Sequence, residues 1–323
     1  MSTQLNPAVS VILPILNEER DLEHCISAIL KQDYKGELEI ILALGPSTDN
    51  TNKIAEKIAN SDARVKLVEN PTGKTAAALN LAIASASHEI ICRIDGHAEI
   101  SDSYISTAIE IMGKTGAVNV GGLMKAEANI GFQSVVATAM RSKIGVGASK
   151  FHTGGQAGES ETVYLGTFKK SAIVQAGGFD EKYIRAQDWE LNHRLRLNGG
   201  IIWFDPRLVV TYRPRDSFTK LAKQYFEYGR WRRAVARKHK GTVNFRYLAP
   251  PVALVLNISS LIAGILINTL FFIPLMVYLI LIILSSLIIG RNLYEKLSLP
   301  SVLLTMHMSW GFGFLTSPKN LID

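Results

Sequence analysis

Apolar runs of four to six residues recur through the first hundred positions. Each is followed by a polar turn and then by apolar residues at helical spacing. Val9-Ser10-Val11-Ile12-Leu13-Pro14 predicts a strand closed by proline, and Leu22, Cys25, Ile26, Ile29 and Leu30 predict the helix after it. Glu39 to Leu44 predicts a second strand, and Ile54, Ala55 and Ile58 mark one face of the next helix. Arg64 to Val68 predicts a third strand, followed by an alanine-rich helix, Thr75 to Ser85. Ile90 to Ile94 predicts a short buried strand that ends abruptly at Asp95. Strands alternating with helices of this length predict an α/β fold, a parallel sheet with right-handed crossovers of the nucleotide-binding type. They exclude an all-β or an all-helical domain.

Beyond residue 100 the pattern is less regular. Ser101 to Lys114 and Phe132 to Lys143 predict helices, with a strand at Ala117 to Val120. Gly145 to Glu161 is rich in Gly, Ser and Thr, a length that predicts a functional or disordered loop. Lys169 to Ala176 and Asp188 to Asn198 predict helices stopped by Gly177-Gly178 and Gly199-Gly200. Ile201 to Phe204 and Leu208 to Tyr212 predict two strands, and Ser217 to His239 a long amphipathic helix. Pro251 to Ile267 and Leu270 to Ile289 are each near the length that crosses a hydrocarbon core, with Asn268-Thr269 as the polar break. They predict two crossings joined by a tight hairpin. Leu297 to Thr316 is a third candidate, interrupted by Pro300, His307 and two glycines; crossing, re-entering and lying in the interface all stay open. The expected organisation is a domain over 1–215, an interfacial basic helix over 216–248 and a membrane region over 249–323.

Charge sharpens this picture. The formal net charge is +7, and much of the excess lies in Arg230 to Lys240, directly before the apolar stretch. That placement favours a membrane surface or a phosphate ligand over nucleic acid. By the positive-inside rule it predicts a multi-pass protein of the cytoplasmic membrane whose N-terminal domain faces the cytosol, and Arg291 and Lys296 agree. Met1 to Ala8 is polar and short, so no signal peptide is expected. The two cysteines, Cys25 and Cys92, fall in apolar patterns and predict buried free thiols in a reducing compartment.

Asp95-Gly96-His97 carries the first candidate chemistry. It follows a buried strand, where ligands of open α/β sheets bind. A carboxylate and an imidazole two residues apart suit a divalent cation, which in turn suits a diphosphate. A plain polar turn is the alternative. Lys74, in a glycine-containing turn before a helix, would contact a nucleotide or phosphate, or be a solvated loop lysine. His152, in the Gly-rich loop, would be a further ligand or an acceptor contact, or, as the simpler reading, a plain surface histidine.

Taken together, the chain resembles the glycosyltransferase family 2 enzymes, which have the GT-A fold. Val9 to Pro14 with Asn17-Glu18-Glu19 looks like the family's donor-binding entry. Ser47-Thr48-Asp49-Asn50-Thr51 looks like the second half of its Asp-Gly-Ser-x-Asp-x-Thr turn, and Asp95-Gly96-His97 like its Asp-x-Asp metal motif. Gln187-Asp188-Trp189-Glu190-Leu191 is similar to its catalytic acidic motif. Two departures stand out. Gly45 replaces an acid that helps hold the base, a contact Asp49 would have to supply, and His97 replaces the second metal acid. Thr162 to Gly166, Gly177 to Glu181, Ala186 to Leu191 and Gln224 to Trp231 further resemble bacterial exopolysaccharide glucosyltransferases of the succinoglycan type.

The resemblance implies an inverting, metal-dependent hexosyltransferase. The donor would be a nucleotide sugar such as UDP-glucose, and the acceptor a polyprenyl-pyrophosphate-linked glycan at the membrane. Pro14, Asn17, Glu18, Asp49, Lys74, Asp95, Gln224, Arg230 and Trp231 would bind the donor. Asp95 and His97 would hold Mn2+ or Mg2+, with a lean to manganese because His97 leaves the site one negative charge poorer. For Gln224, Arg230 and Trp231 the alternative is an aromatic helix face that packs; for Arg230 and Arg233, which would bind the same phosphates or those of a lipid carrier, it is the basic flank of a membrane span. Asp188 would be the catalytic base, kept ionised by its helix N-terminus. Glu190 points to another face, and a helix-capping role is the alternative for Asp188. A processive polysaccharide synthase and a non-catalytic nucleotide-sugar-binding subunit are the competing functions; the short membrane part and the intact Asp95 and Asp188 argue against them.

Overall fold

The computed structural model describes residues 6–322 and turns each apolar run of the first hundred residues into a strand or helix. The elements are β1 (Val9–Ile15), α1 (Leu22–Leu30), β2 (Leu38–Leu44), α2 (Thr51–Ser61), β3 (Val65–Glu69), α3 (Thr75–Ser85) and β4 (Ile90–Arg93). Next come β5 (Glu99–Ile100), α4 (Tyr104–Thr115), β6 (Asn119–Ala126), α5 (Gly131–Met140), α6 (Lys143–Val146), α7 (Lys150–Thr153), β7 (Gly158–Glu159), β8 (Tyr164–Lys169), α8 (Lys170–Gln175), α9 (Gln187–Leu197) and β9 (Ile202–Tyr212). The remainder is helical: α10 (Phe218–Lys238), α11 (Phe245–Leu266), a 3-10 turn (Thr269–Phe272), α12 (Ile273–Ile289) and α13 (Leu293–Thr316).

One sheet runs in the order β3-β2-β1-β4-β8-β6-β9-β5, with β7 on β9. Strands β1 to β4 pair in parallel, as the strand–helix alternation requires. Val9, Val11, Ile12, Leu13, Ile40, Ile41, Leu42, Ile91 and Cys92 are all buried, so these central strands face packed layers on both sides. The sheet as a whole is mixed, which corrects the all-parallel expectation. β8, unmarked in the apolar pattern, enters antiparallel beside β4, and β6 pairs with it antiparallel. Pro14 does not close β1, which continues to Ile15. Nor does Pro206 divide the last strand: β9 runs through it, with Pro206 exposed and Arg207 turned back onto Asp205. β6 and β9 approach so closely that a Cβ on Gly122 would lie 1.8 Å from the Leu208 carbonyl oxygen.

The chain forms two compact units. One runs through Lys125 and resumes from Gly154 to Tyr212; it holds the sheet. The other comprises Ala126–Thr153 and everything from Arg213 onward. Residues 126–153, expected inside a single domain ending at 215, thus group with the C-terminal helices. Part of the predicted long loop is ordered as α6, α7 and β7.

In the second unit, two helical stretches, Phe245–Leu266 and Thr269–Ile289, are long and apolar enough to cross a membrane. Their turn is satisfied internally. Asn268 caps the Leu270 N–H at 2.9 Å, and Ser260 Oγ donates to the Phe271 carbonyl while accepting from the Leu275 N–H at 3.2 Å. Closed polar accounts of this kind are what an apolar medium demands. Helix α13 is not one of the two; it packs on α10 through backbone contact. A Cβ on Gly313 would lie 2.0 Å from the Phe226 carbonyl oxygen, and one on Gly229 2.1 Å from that of Trp310. Its buried Glu295 accepts from the Arg291 guanidinium and, at 3.2 Å, from Thr138 Oγ1 on α5.

Candidate active site

In the sheet unit, the chain leaves β1 toward β2 and β3 on one side and returns to β4 on the other. The loops after β1 and β4 therefore meet where the strand order reverses, the crevice in which open α/β sheets bind ligands. His97 Nδ1 and Glu18 Oε1 are 2.8 Å apart, and Cys25 Sγ donates to the Asp95 carbonyl at 3.5 Å. Gly96 makes this approach possible. A Cβ there would lie 2.8 Å from Ile15 Cδ1 and 3.0 Å from Glu18 Cγ. The hydrogen bond to Glu18 raises the His97 pKa against the opposing effect of burial.

The loop after β1 is stitched to the start of α2. Asn17, held at φ 57°, accepts from the Thr48 N–H at 2.8 Å, and its own N–H donates to Ser47 Oγ at 3.1 Å. Glu18 N–H donates to Thr51 Oγ1 at 2.7 Å, and Asp49 accepts from the N–H groups of Glu19 and Thr51. Asn17 and Asp49 thus shape the loops. Gly45 sits under Leu16 and Gly73: a Cβ on it would lie 3.0 Å from Leu16 Cδ1 and 3.4 Å from Gly73 Cα. Where the resemblance expects an acid, the chain offers an apolar shelf of Leu16, Gly45, Pro46 and Gly73. Pro14 is half-buried in β1, paired with Ala43, and Lys74 is exposed at the N-terminus of α3.

Asp188 is reached through a residue absent from the sequence-based candidates. Arg93, the last residue of β4, is 4% exposed. Its Nε and Nη2 donate to Asp95 Oδ1 at 3.2 and 3.1 Å, and its Nη1 donates to Asp188 Oδ1. Asp188 does not cap its helix: the N-cap is Ala186, at φ 62°, and no side-chain capping bond forms. The expected lowering of the Asp188 pKa by the helix end is also corrected. Its partly buried position raises it, Arg93 pulls it down and the Asp95 charge adds to the rise; the net direction is upward. Glu190 is 1% exposed and committed elsewhere. Its carboxylate receives the Arg194 fork at 2.7–3.0 Å, and Arg194 also donates to the carbonyls of Ala176 and Gly178.

The donor atoms that remain are of the types that bind a divalent cation. Both bonds to Asp95 use Oδ1 and the Glu18 contact uses His97 Nδ1, leaving Asp95 Oδ2 and His97 Nε2. Among the described residues no three His, Cys, Asp or Glu side chains form a cage. Two protein donors suit a cation whose other positions are filled by diphosphate oxygens and water.

The remaining candidates lie in the second unit. Glu227 organises them: it accepts from Arg230 at 2.9 Å and from the Trp231 indole N–H at 3.2 Å, and Trp231 is buried. Gln224 donates to Tyr228 Oη at 2.8 Å. The Arg233 guanidinium lies over the Phe314 ring, 4.9 Å from its centre. His152 is not a plain surface histidine. Its Nδ1 is enclosed without a hydrogen-bond partner, and burial beside Arg246 pushes its pKa down to about 3. Cys25 and Cys92 are buried free thiols, as expected; burial pushes them up to about 12 and about 11.

Comparison with known proteins places the fold among known families. The sequence model of glycosyl transferase family 2 matches residues 10–161. The chain is 30% identical over 315 residues to the succinoglycan biosynthesis protein ExoA of Rhizobium meliloti, covering 94% of this chain and 93% of that one. It is 28% identical, over 95% of both chains, to a Methanococcus voltae dolichyl N-acetyl-glucosaminyl phosphate diacetamido-dideoxy-glucuronosyltransferase. Among solved structures it is similar to the mannosyltransferase PcManGT of Pyrobaculum calidifontis in complex with GDP-Man and Mn2+. That match has a TM-score of 0.64 at 19% identity and covers 93% of this chain and 86% of that one.

Proposed function

Since the chain belongs to glycosyl transferase family 2, with the GT-A fold and a glycosyltransferase activity, we propose that it inverts the anomeric carbon of a nucleotide sugar while passing the sugar to a lipid-linked glycan. The observation that carries this reading is the convergence of Glu18, Asp95 and His97 at the switch point, with Asp188 joined to Asp95 through Arg93.

The Leu16–Gly45–Gly73 shelf supports the nucleoside, with Asn17 and Asp49 holding the loops and Lys74 beside them. Asp95 and His97 would hold a divalent cation against the diphosphate, and when bound it neutralises charge on the leaving group. Asp188 takes the proton of the acceptor hydroxyl as its oxygen attacks the anomeric carbon. The bond to the diphosphate breaks on the opposite face and its electron pair leaves with the phosphate. The upward-shifted pKa of Asp188 makes it a stronger base than an ordinary carboxylate. We read UDP-glucose as the donor and a polyprenyl-pyrophosphate-linked oligosaccharide as the acceptor. This rests on the likeness to the succinoglycan protein and on the two apolar helices, which would anchor the chain in the cytoplasmic membrane with the sheet unit in the cytosol.

The test is transfer of radiolabelled sugar by the detergent-purified full chain, across a panel of nucleotide sugars and lipid-pyrophosphate acceptors, with manganese and with a chelator. Manganese-dependent transfer with inverted anomeric configuration is expected. Full turnover in the chelator would sink the metal role, and no turnover with any donor would favour a non-catalytic subunit.

A further inference from the structure

Arg93 is a buried cation inside an apolar strand, which costs several kcal/mol unless the charge is compensated. Two carboxylates compensate it. Two of its nitrogens converge on Asp95 and the third reaches Asp188. No other hydrogen bond or ion pair of the Asp188 carboxylate is seen among the described residues, and the helix start it occupies is not capped by it. What sets the position of Asp188 is therefore the guanidinium.

We propose that Arg93 is a positioning residue: it holds the carboxylate of Asp188 in register with Asp95, so that the base faces the acceptor while the donor is bound at the switch point. This rests on the assignment of Asp188 as the base. The planar fork matters, because a lysine ammonium is a single point of charge that cannot span two carboxylates from one rigid plane. The second carboxylate matters as well. When Asp188 takes the acceptor proton it becomes neutral and its ion pair is lost. Asp95 still faces Arg93 at that moment, so the buried cation is never stranded. Arg93 itself neither gains nor loses a proton.

The proposal is tested on the full chain with Arg93→Lys and Arg93→Met. Arg93→Lys is expected to lower kcat by roughly 100-fold, the scale of a misplaced general base. The KM for donor and the manganese-dependent affinity for UDP should both stay within about threefold, as expected when an interaction made only in the transition state is removed. Adding Asp188→Asn to Arg93→Lys should cost little more. A near-wild-type kcat, or a full further loss on adding Asp188→Asn, overturns the proposal. The bridge is read apart from catalysis by thermal denaturation. With Arg93 present, removing the second of Asp95 and Asp188 as their Asn variants should cost more stability than removing the first, because the cation loses its last partner. In the Arg93→Met background that coupling should vanish or reverse. Additive losses in both backgrounds overturn the bridge. If the coupling is present but the wild-type chain transfers no sugar, the base assignment has failed and this proposal falls with it.

Discussion

Asp188 and Glu190 lie two residues apart at the start of one helix, yet their neutral variants should fail in opposite ways. Glu190 is 1% exposed and accepts three bonds from the Arg194 fork. Glu190→Gln removes the countercharge and leaves that guanidinium only neutral acceptors, one amide oxygen and the carbonyls of Ala176 and Gly178. Breaking a buried pair this way costs on the order of 3 kcal/mol. At 2–4 °C per kcal/mol for a domain of 150–250 residues, the melting temperature should fall by roughly 6–12 °C. The rate per folded molecule should stay near wild type. Asp188 is 38% exposed on its side chain, and Arg93 keeps Asp95 when Asp188 is neutralised. Screening by solvent and the surviving partner limit the stability cost of Asp188→Asn to about 1 kcal/mol. Its rate should fall by about a hundredfold or more, the cost of a lost base. The pH profile adds a third readout. A base must be ionised to act, and the Asp188 pKa is raised, so wild-type kcat should fall on acidification at a pH above the ordinary carboxylate range. Asp188→Asn should lack that limb. The assay is initial-rate transfer over pH 4 to 8, on samples whose folded fraction is measured by thermal denaturation. If Glu190→Gln loses the rate with its fold intact while Asp188→Asn keeps it, the base has been misassigned.

Three further outcomes follow from local geometry. Gly96→Ala should press on Glu18 and Ile15 and weaken manganese-dependent UDP binding by about tenfold, roughly the 1.4 kcal/mol of a small overpacking strain, as calorimetry would show. Unchanged affinity would mean the two loops need not touch. Glu39 accepts from Ser10, Ser87 and Lys66, and these bonds outweigh its burial and hold its pKa down from 4.5 to about 2. A depressed acid stabilises the fold above its unfolded pKa and loses that contribution as pH falls through the folded one. About 3 kcal/mol should disappear between pH 4.5 and 2 in wild type, and Glu39→Gln should flatten that loss in pH-dependent denaturation. Gly313→Ala places a methyl group against the Phe226 carbonyl and should loosen α13 from α10, visible as faster limited proteolysis near α13 with donor binding retained.

Much of this protein was legible from its residues. Period and length decide whether an apolar run is strand or helix, so β1 to β4, α1 to α3 and the membrane-length pair were readable with little error. The turn residues also place Asp95 and His97 beyond a strand end. Where the reading missed, the cause was a contact distant in sequence. β8 carries Gly166, Thr167 and Lys169 and has no strong alternation; it is a strand because β4 and β6 lie on either side to pair with it. Pro206 signals a break that the long pairing of β9 overrides.

The division is sharpest at the site. Residue type and order alone supplied two acidic motifs and the chemistry they suit. They did not say that the motifs share a cation, although Arg93 inside Ile90 to Ile94 was a signal, since a charge in a strand buried on both faces needs a partner. Nor did they separate Asp188 from Glu190. Both are acids at a helix start, and helix geometry says only that they face different ways. What distinguishes them is what each face meets: the Arg194 guanidinium for the buried Glu190, and Arg93 with a solvent-facing side for Asp188. Local sequence sets backbone preference and the placing of charges along the chain. The pairing of those charges depends on which strand ends the sheet brings together, and 95 residues separate Arg93 from Asp188.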